Sequence, residues 1–338
     1  MVPKTSFLNP KITSAPPLSP HWKIRKIGIA MAIYRPDLCN LREQLQSIQD
    51  QSFLNWICVI SSDSPLTELL EAPEIEKFKQ DPRFQWHENP SRLGHKHNFE
   101  KATQLTLQEK VDAISFSDQD DLWYPEKLAL SAALLEQKGP LCAVHCDMHI
   151  LTSHSEILPK TGWDLEKRGV LHKGILHLLI RNIVAGCGLL MDAQLLQTDF
   201  NIPEAAHYHD HWYALIAASQ GGVHPIFTPL YAYRQHSENV VGMTPFRGIF
   251  TLPKALPNKI NTKEIFQFCQ QKWANSHALA LAARHAKLPL AWIERLLLIS
   301  PLDLGFGLFI LGLMNLRQDR PFARACFARS LGKFLSRF

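Results

Sequence analysis

The 338-residue chain has no apolar run long enough to cross a bilayer. Its best candidate, Leu302 to Met314, is broken by Asp303 and three glycines and falls short of the ~20 residues a spanning helix needs. No stretch near Met1 has the ~7–15 apolar residues of a secretory signal. Positions 1–26 instead place Lys4, Lys11, Lys23, Arg25 and Lys26 among Pro10, Pro16, Pro17 and Pro20, which predicts a flexible basic leader. Cysteines are seven, scattered and mostly inside apolar runs. An odd, unpatterned set argues against a disulfide framework and for buried thiols in a reducing compartment, hence a cytoplasmic protein. No internal repeat is visible.

Charge is unevenly placed. The net charge is +5, and from Arg317 onward six basic residues face one acid, Asp319, which leaves 30 against 30 in the rest. This speaks against a broad nucleic-acid surface and for a local anionic contact such as membrane headgroups. A solvated basic helix is the plain alternative. Phe327, Leu331, Phe334, Leu335 and Phe338 share a helical side, with Arg324, Arg329, Lys333 and Arg337 largely elsewhere. That pattern predicts a helix lying in a membrane interface, or one packed on the rest of the chain.

From Ile27 short apolar runs alternate with helical spacing, as in a sheet covered by helices on both faces. Strands are expected at Ile27–Tyr34, Trp56–Ile60, Phe84–His87, Ala113–Phe116, Leu141–His145, Val184–Met191 and Ile226–Tyr233. Leu38, Leu41, Leu45 and Ile48 mark one helix, Leu66–Phe78 a weak one, and Phe99, Ala102 and Leu105 another. Leu128, Ala132 and Leu135 mark a further helix with Pro125 in its first turn, and one more follows His209-Asp210-His211. Beyond Met243 the chain is helical without strand candidates, so the expected units are 1–26, 27–243 and 244–338.

Asp118-Gln119-Asp120-Asp121 follows the fourth strand directly, at the edge where open α/β sheets bind ligands. Three carboxylates in four residues repel one another unless a cation neutralises them. Mg²⁺ or Mn²⁺ suits oxygen ligands and would also hold a diphosphate. A solvated acidic turn is the bland reading, but Leu122-Trp123-Tyr124-Pro125 caps this one with apolar side chains.

The stretch Phe116 to Lys127 resembles the DQDD-W-P-x-K signature of family 2 glycosyltransferases, in the branch labelled rhamnosyltransferase-like. Further landmarks agree in order: Tyr34-Arg35-Pro36-Asp37, the helix Leu41–Asp50, Asn89 through Gly94 to Asn98-Phe99, His209-Asp210-His211-Trp212, and Tyr233-Arg234-Gln235-His236 through Gly242. The resemblance covers Ile27 to Gly242. It implies a GT-A fold, a Rossmann-like mixed sheet with helices on both faces, here followed by an all-helical C-terminal appendage. It also implies inverting transfer of a sugar from a nucleoside diphosphate sugar to a glycan or lipid-linked acceptor in surface polysaccharide synthesis, with Mg²⁺ or Mn²⁺ as cofactor.

The implied residue roles follow. Asp210 is the base, against an ordinary helix cap as the plain reading. Ala32, Tyr34, Asp63, Gly94, Asn98, Asp118, Gln119 and Arg234 line the nucleotide-sugar site. His209, Trp212 and Trp123 lie on the acceptor side, and Asp118, Asp120, Asp121 and His236 hold the metal. One departure is evident: Ser61-Ser62-Asp63-Ser64 stands where relatives read DDGS. His95, His97, His207, His209 and His211 suggest zinc less well than the polar lining of a cleft. A sugar nucleotidyltransferase is disfavoured because Ala32-Ile33-Tyr34-Arg35-Pro36 is no glycine-rich phosphate loop. A non-catalytic binding module of the same fold is the other alternative.

Overall fold

The computed structural model describes residues 22–152, 156–166, 174–197, 201–235, 262–291, 298–299, 305–315 and 320–336. The chain runs β1 (Ile27–Ile33), α1 (Leu38–Gln49), β2 (Trp56–Ser62), α2 (Thr67–Glu71), α3 (Glu76–Gln80), β3 (Phe84–Glu88), α4 (His95–Gln108) and β4 (Ala113–Ser117). It continues with β5 (Leu122–Trp123), α5 (Lys127–Lys138), β6 (Ala143–Leu151), α6 (Gly162–Glu166), α7 (Ile175–Ile180), β7 (Leu189–Asp192), α8 (His209–Ala218) and β8 (Val223–Arg234). Among the described residues three helices follow: α9 (Thr262–His285), α10 (Phe306–Asn315) and α11 (Arg320–Leu335).

Among the described residues eight strands form one sheet in the order β3-β2-β1-β4-β7-β6-β8-β5. The first four are parallel. β7 runs antiparallel to both β4 and β6, β8 pairs parallel with β6, and β5 pairs antiparallel with β8. Because side chains alternate along a strand, β1 feeds two cores. Ile27, Ile29, Met31 and Ile33 pack with Leu41, Leu45 and Ile48 of α1 and Leu128 of α5. Ala30 faces the other way, with Val59, Phe116, Phe99 of α4 and Leu215 of α8. Each such buried aliphatic side chain contributes ~1.5–3 kcal/mol, so both faces are firmly covered. Asp37 caps α1, its carboxylate accepting the Asn40 N–H at 2.9 Å.

The α/β sheet and the helical C-terminal part are as expected, with local corrections. Leu66–Phe78 divides into α2 and α3 around Pro73, whose ring removes a donor and disfavours helix at the preceding residue. Val184–Met191 is not one strand: a 3-10 turn, Gly186–Gly188, precedes β7. Pro125 precedes α5 instead of lying in its first turn. β5, α6 and α7 were not foreseen.

The C-terminal helices share a core with the sheet. Trp273, Leu279, Leu308, Phe322 and Cys326 belong to the same apolar cluster as Leu178 and Leu179 of α7. Ser276 Oγ donates to the Leu179 carbonyl at 2.8 Å, and Phe322 stacks on His177 at 4.1 Å between ring centroids. Gly332 lets α11 approach α9 so closely that a Cβ would collide with the Cys269 carbonyl. The expected division of α11 into apolar and basic sides fails accordingly. Lys333 is buried with its ammonium over the Trp273 ring, while Leu331 and Phe334 are exposed. Among the described residues no helix is long and apolar enough to cross a membrane. The larger exposed apolar face belongs to α10, through Phe309, Ile310, Leu313 and Met314.

Candidate active site

β4 ends at Ser117, and the acidic string begins at the C-terminal edge of the parallel strands. Its carboxylates occupy unlike environments. Asp118 sits at the rim, its side chain 37% exposed, with His95 Nε2 4.0 Å from Oδ1. Asp121 is fully enclosed, its Oδ1 accepting the Arg234 N–H at 3.2 Å while Oδ2 has no hydrogen-bond partner. Burial, then the charges of Asp118 and Asp120, raise the Asp121 carboxyl well above the ordinary carboxylate range. Asp118, Asp121 and Cys187 offer ligand atoms within 4.8 Å of one another. Asp120 is not part of that group, and its carbonyl accepts from Arg234 Nε at 2.9 Å.

Cys187 arrives from 69 residues away. Its thiol donates to Asp118 Oδ2 at 3.0 Å, and its sulfur accepts the Asp118 N–H at 3.1 Å. Burial, then Asp118 and Asp121, push the thiol well above its usual range. The flanking glycines make this placement feasible. A Cβ on Gly188 would lie 2.9 Å from the Cys146 carbonyl oxygen, and one on Gly186 would lie 2.6 Å from His209 Nε2. The same turn is held by Asp210, in the first turn of α8. Its Oδ2 accepts the Gly186 N–H at 3.1 Å and its Oδ1 accepts from Asn182 Nδ2 at 3.0 Å. Asp210 and the acidic string are therefore joined through two adjacent residues, Gly186 and Cys187.

The loops after β1, β2 and β3 are tied to one another beside this string. Gln119 is a backbone clamp: Oε1 accepts the Tyr34 N–H at 2.8 Å and Nε2 donates to the Tyr34 carbonyl at 3.3 Å. The Tyr34 ring lies 4.2 Å from the Arg92 guanidinium. Asp63 accepts from Asn89 Nδ2, Leu93 N and Gly94 N at 2.9, 3.0 and 2.8 Å, so both its oxygens hold the loop leading into α4. Asn98 accepts from Asn89 at 3.0 Å and donates to the Ile33 carbonyl at 3.1 Å. Ala32 lies half-buried on β1 in register with Ser61. Ser62 is buried and closes a turn by donating to the Ser64 carbonyl at 2.6 Å.

Other expected residues are turned inward. Arg234 is buried, its NH2 paired with Glu43 Oε2 at 2.6 Å, so its guanidinium ties β8 to α1. Trp212 and Trp123 are buried core residues instead of acceptor-facing ones, because α8 and β5 turn those sides inward. His209 is buried too, stacked on Phe99 at 3.7 Å, and burial followed by the charge of His95 drives its pKa well below the usual imidazole range. The histidine string does not converge: His211 Nε2 donates to the Leu178 carbonyl at 2.6 Å, on another side of α8. His236 and the segment Asn239 to Gly242 lie outside the described residues.

Sequence reasoning missed Cys187 and passed over Lys127. The Lys127 ammonium is fully buried behind the acids, donating to Ser115 Oγ at 3.1 Å and lying 3.6 Å from the Trp123 ring centroid. Burial lowers its pKa, while Cys146, Cys187 and Asp121 act to raise it. Glycines on both sides of a cysteine were the available signal of a tight turn.

A four-strand parallel run, an antiparallel insertion at β7 and an acidic string leaving β4 define the GT-A fold. Among solved structures, S. aureus TarS 1-349 superposes with a TM-score of 0.51 at 13% identity, over 91% of this chain and 89% of that one. The same fragment in complex with UDP-GlcNAc gives a TM-score of 0.51 at 14% identity, with coverage of 91% and 89%. The chain spans 54% of the longer S. aureus TarS chain. No family model and no curated protein matches the sequence.

Proposed function

We propose that this chain is an inverting glycosyltransferase that moves a sugar from a nucleoside diphosphate sugar onto a hydroxyl of a glycan or lipid-linked acceptor. The supporting observation is the convergence, at one sheet edge, of Asp118, Asp121 and the Asp210-bearing turn with three interlocked loops. In this reading 27–243 carries the reaction and 244–338 is its helical attachment. A fold shared with a protein solved with UDP-GlcNAc bound is consistent with a nucleotide-sugar donor.

The donor set fits a divalent cation, because two carboxylates converge and one buried oxygen of Asp121 lacks a partner. Asp118 and Asp121 would hold Mg²⁺ or Mn²⁺, with Asp120 and His236 as the remaining expected ligands. Such an ion, when bound, offsets the charge that builds on a departing diphosphate. Asp210 takes the proton of the acceptor hydroxyl, its carboxylate aimed by Asn182 and Gly186. Freed of that proton, the oxygen attacks the anomeric carbon from the face opposite the leaving group. Asp63, Asn89 and Asn98 keep the loop before α4 in shape to line the nucleotide, and Tyr34 offers its ring to the base. A cytoplasmic enzyme acting at the membrane face fits the exposed apolar side of α10.

The test is a panel of nucleotide sugars titrated with and without Mn²⁺. One donor should stabilise the chain strongly and only with metal, and should be turned over when an acceptor is supplied. Binding of glycans without donor turnover would instead favour the non-catalytic module, which the internal engagement of both Asp63 oxygens makes worth separating.

A further inference from the structure

Cys187 has no part in the mechanism above, yet its thiol lies between the rim carboxylate of Asp118 and the enclosed carboxylate of Asp121. We infer that its sulfur is a third protein ligand of the cation site, making this a mixed carboxylate–thiolate centre that takes a sulfur-tolerant divalent ion such as Zn²⁺ or Co²⁺ more readily than Mg²⁺. The inference rests on the reading of Asp118 and Asp121 as cation ligands.

Three observations carry it. Sγ and one oxygen from each of Asp118 and Asp121 lie within 4.8 Å of one another, a span that small rotations bring within the ~2.0–2.3 Å bonds of one ion to oxygen and sulfur. Oδ2 of Asp121, on a residue with no exposed surface, meets no hydrogen bond of good geometry; the Cys187 thiol lies beside it but donates to Asp118, so an acceptor is left over in the enclosure. The turn that delivers the sulfur is built for the purpose of close approach: neither Gly186 nor Gly188 has room for a Cβ.

Thiolate ligands favour Zn²⁺ and its neighbours over hard ions, and affinity for mixed donor sets rises from Mn²⁺ through Co²⁺. Mg²⁺ demands octahedral oxygen ligation and gains nothing from sulfur. Binding exchanges one bond for another. The S–H proton leaves to bulk water as the metal–sulfur bond forms, and no electron changes hands. The hydrogen bond from the thiol to Asp118 Oδ2 is given up, which frees that oxygen for the same ion.

The experiment titrates the full chain with Co²⁺ under a non-chelating reductant, following heat and near-ultraviolet absorbance together. The expected result is a sulfur-to-cobalt charge-transfer band that Cys187→Ser abolishes and that Cys39→Ser, which alters the exposed thiol, leaves intact. Cys187→Ser should also weaken Co²⁺ binding ~10-fold or more while moving Mg²⁺ binding little. A band that survives in Cys187→Ser overturns the inference. So does heat without any band in the wild-type chain, in which case the two-carboxylate cation site still stands. Absence of binding heat for every divalent ion overturns both. Should Cys187→Ser fail to fold, cadmium NMR of the wild-type chain decides: a shift in the oxygen-only range refutes sulfur ligation, and a strongly deshielded one supports it.

Discussion

Oδ2 of Asp210 accepts the backbone N–H of Gly186 at 3.1 Å, one residue before the thiol that donates to Asp118. The carboxylate proposed to take a proton and the one proposed to hold a cation are thus linked through a single short turn. A shift of that turn moves both.

Asp210→Asn should lower turnover ~100-fold or more while donor affinity holds, the scale expected for loss of a general base. The comparison is made by single-turnover kinetics beside calorimetric donor titration. Asn turns one amide group toward a donor that Asp accepted, so an equal fall in donor affinity would identify the residue as the keeper of the turn.

Asp121→Asn should stabilise the metal-free chain. The folded pKa of Asp121 is raised, so its contribution is fully present below the unfolded value of ~3.9 and is lost as pH rises through the folded one. Melting temperature should therefore increase in the variant by ~2–6 °C at mildly alkaline pH, and the gap should close toward acid. Divalent cations should raise the wild-type melting point and leave the variant nearly unmoved.

His211 predicts the acid limb. Burial, with Arg329 and His207 adding to it, lowers its pKa to about 4, against an opposing hydrogen bond to Leu178. Neutral imidazole is favoured in the fold, so stability is present above the unfolded value of ~6.5 and declines as pH falls toward about 4. His211→Gln, which keeps a donor for Leu178, should flatten this decline in melting curves collected across that range.

Asp63→Ala should cost ~1–3 kcal/mol by leaving three donors without their acceptor. Hydrogen exchange at Leu93 and Gly94 should quicken first, and donor affinity should fall with it. If Asp63 met the nucleotide base without shaping the loop, affinity would drop while exchange stayed slow.

Gly188→Ala should destabilise by ~1–3 kcal/mol, because the new methyl meets backbone that cannot swing aside. Denaturant unfolding measures the cost, and loss of divalent-ion binding in the still-folded fraction would report displacement of Cys187.

Much of the sheet was legible because parallel strands covered on both faces read as short apolar runs. β5 was not, since its two residues show no period. Nor were α6 and α7, whose five and six residues are too few to display one face repeatedly. In the proposed site, Asp118 and Asp210 stand out from local pattern and motif. Cys187 was not, because nothing near it in sequence is acidic and its partner lies 69 positions away. Trp123 and Trp212 show the reverse error. A motif named them, but whether an indole faces a ligand or a core is settled by the packing of α8 and β5, which local sequence does not contain.

The pairing of Arg234 with Glu43 spans 191 positions. During synthesis the first helix and the acidic string emerge well before the guanidinium that braces them, and contacts so distant in sequence form late. A nascent chain stopped short of β8 would carry every aspartate of the string in an unbraced edge. The proposed activity therefore arrives abruptly, with β8, and shortened products should be inert and prone to capture by chaperones.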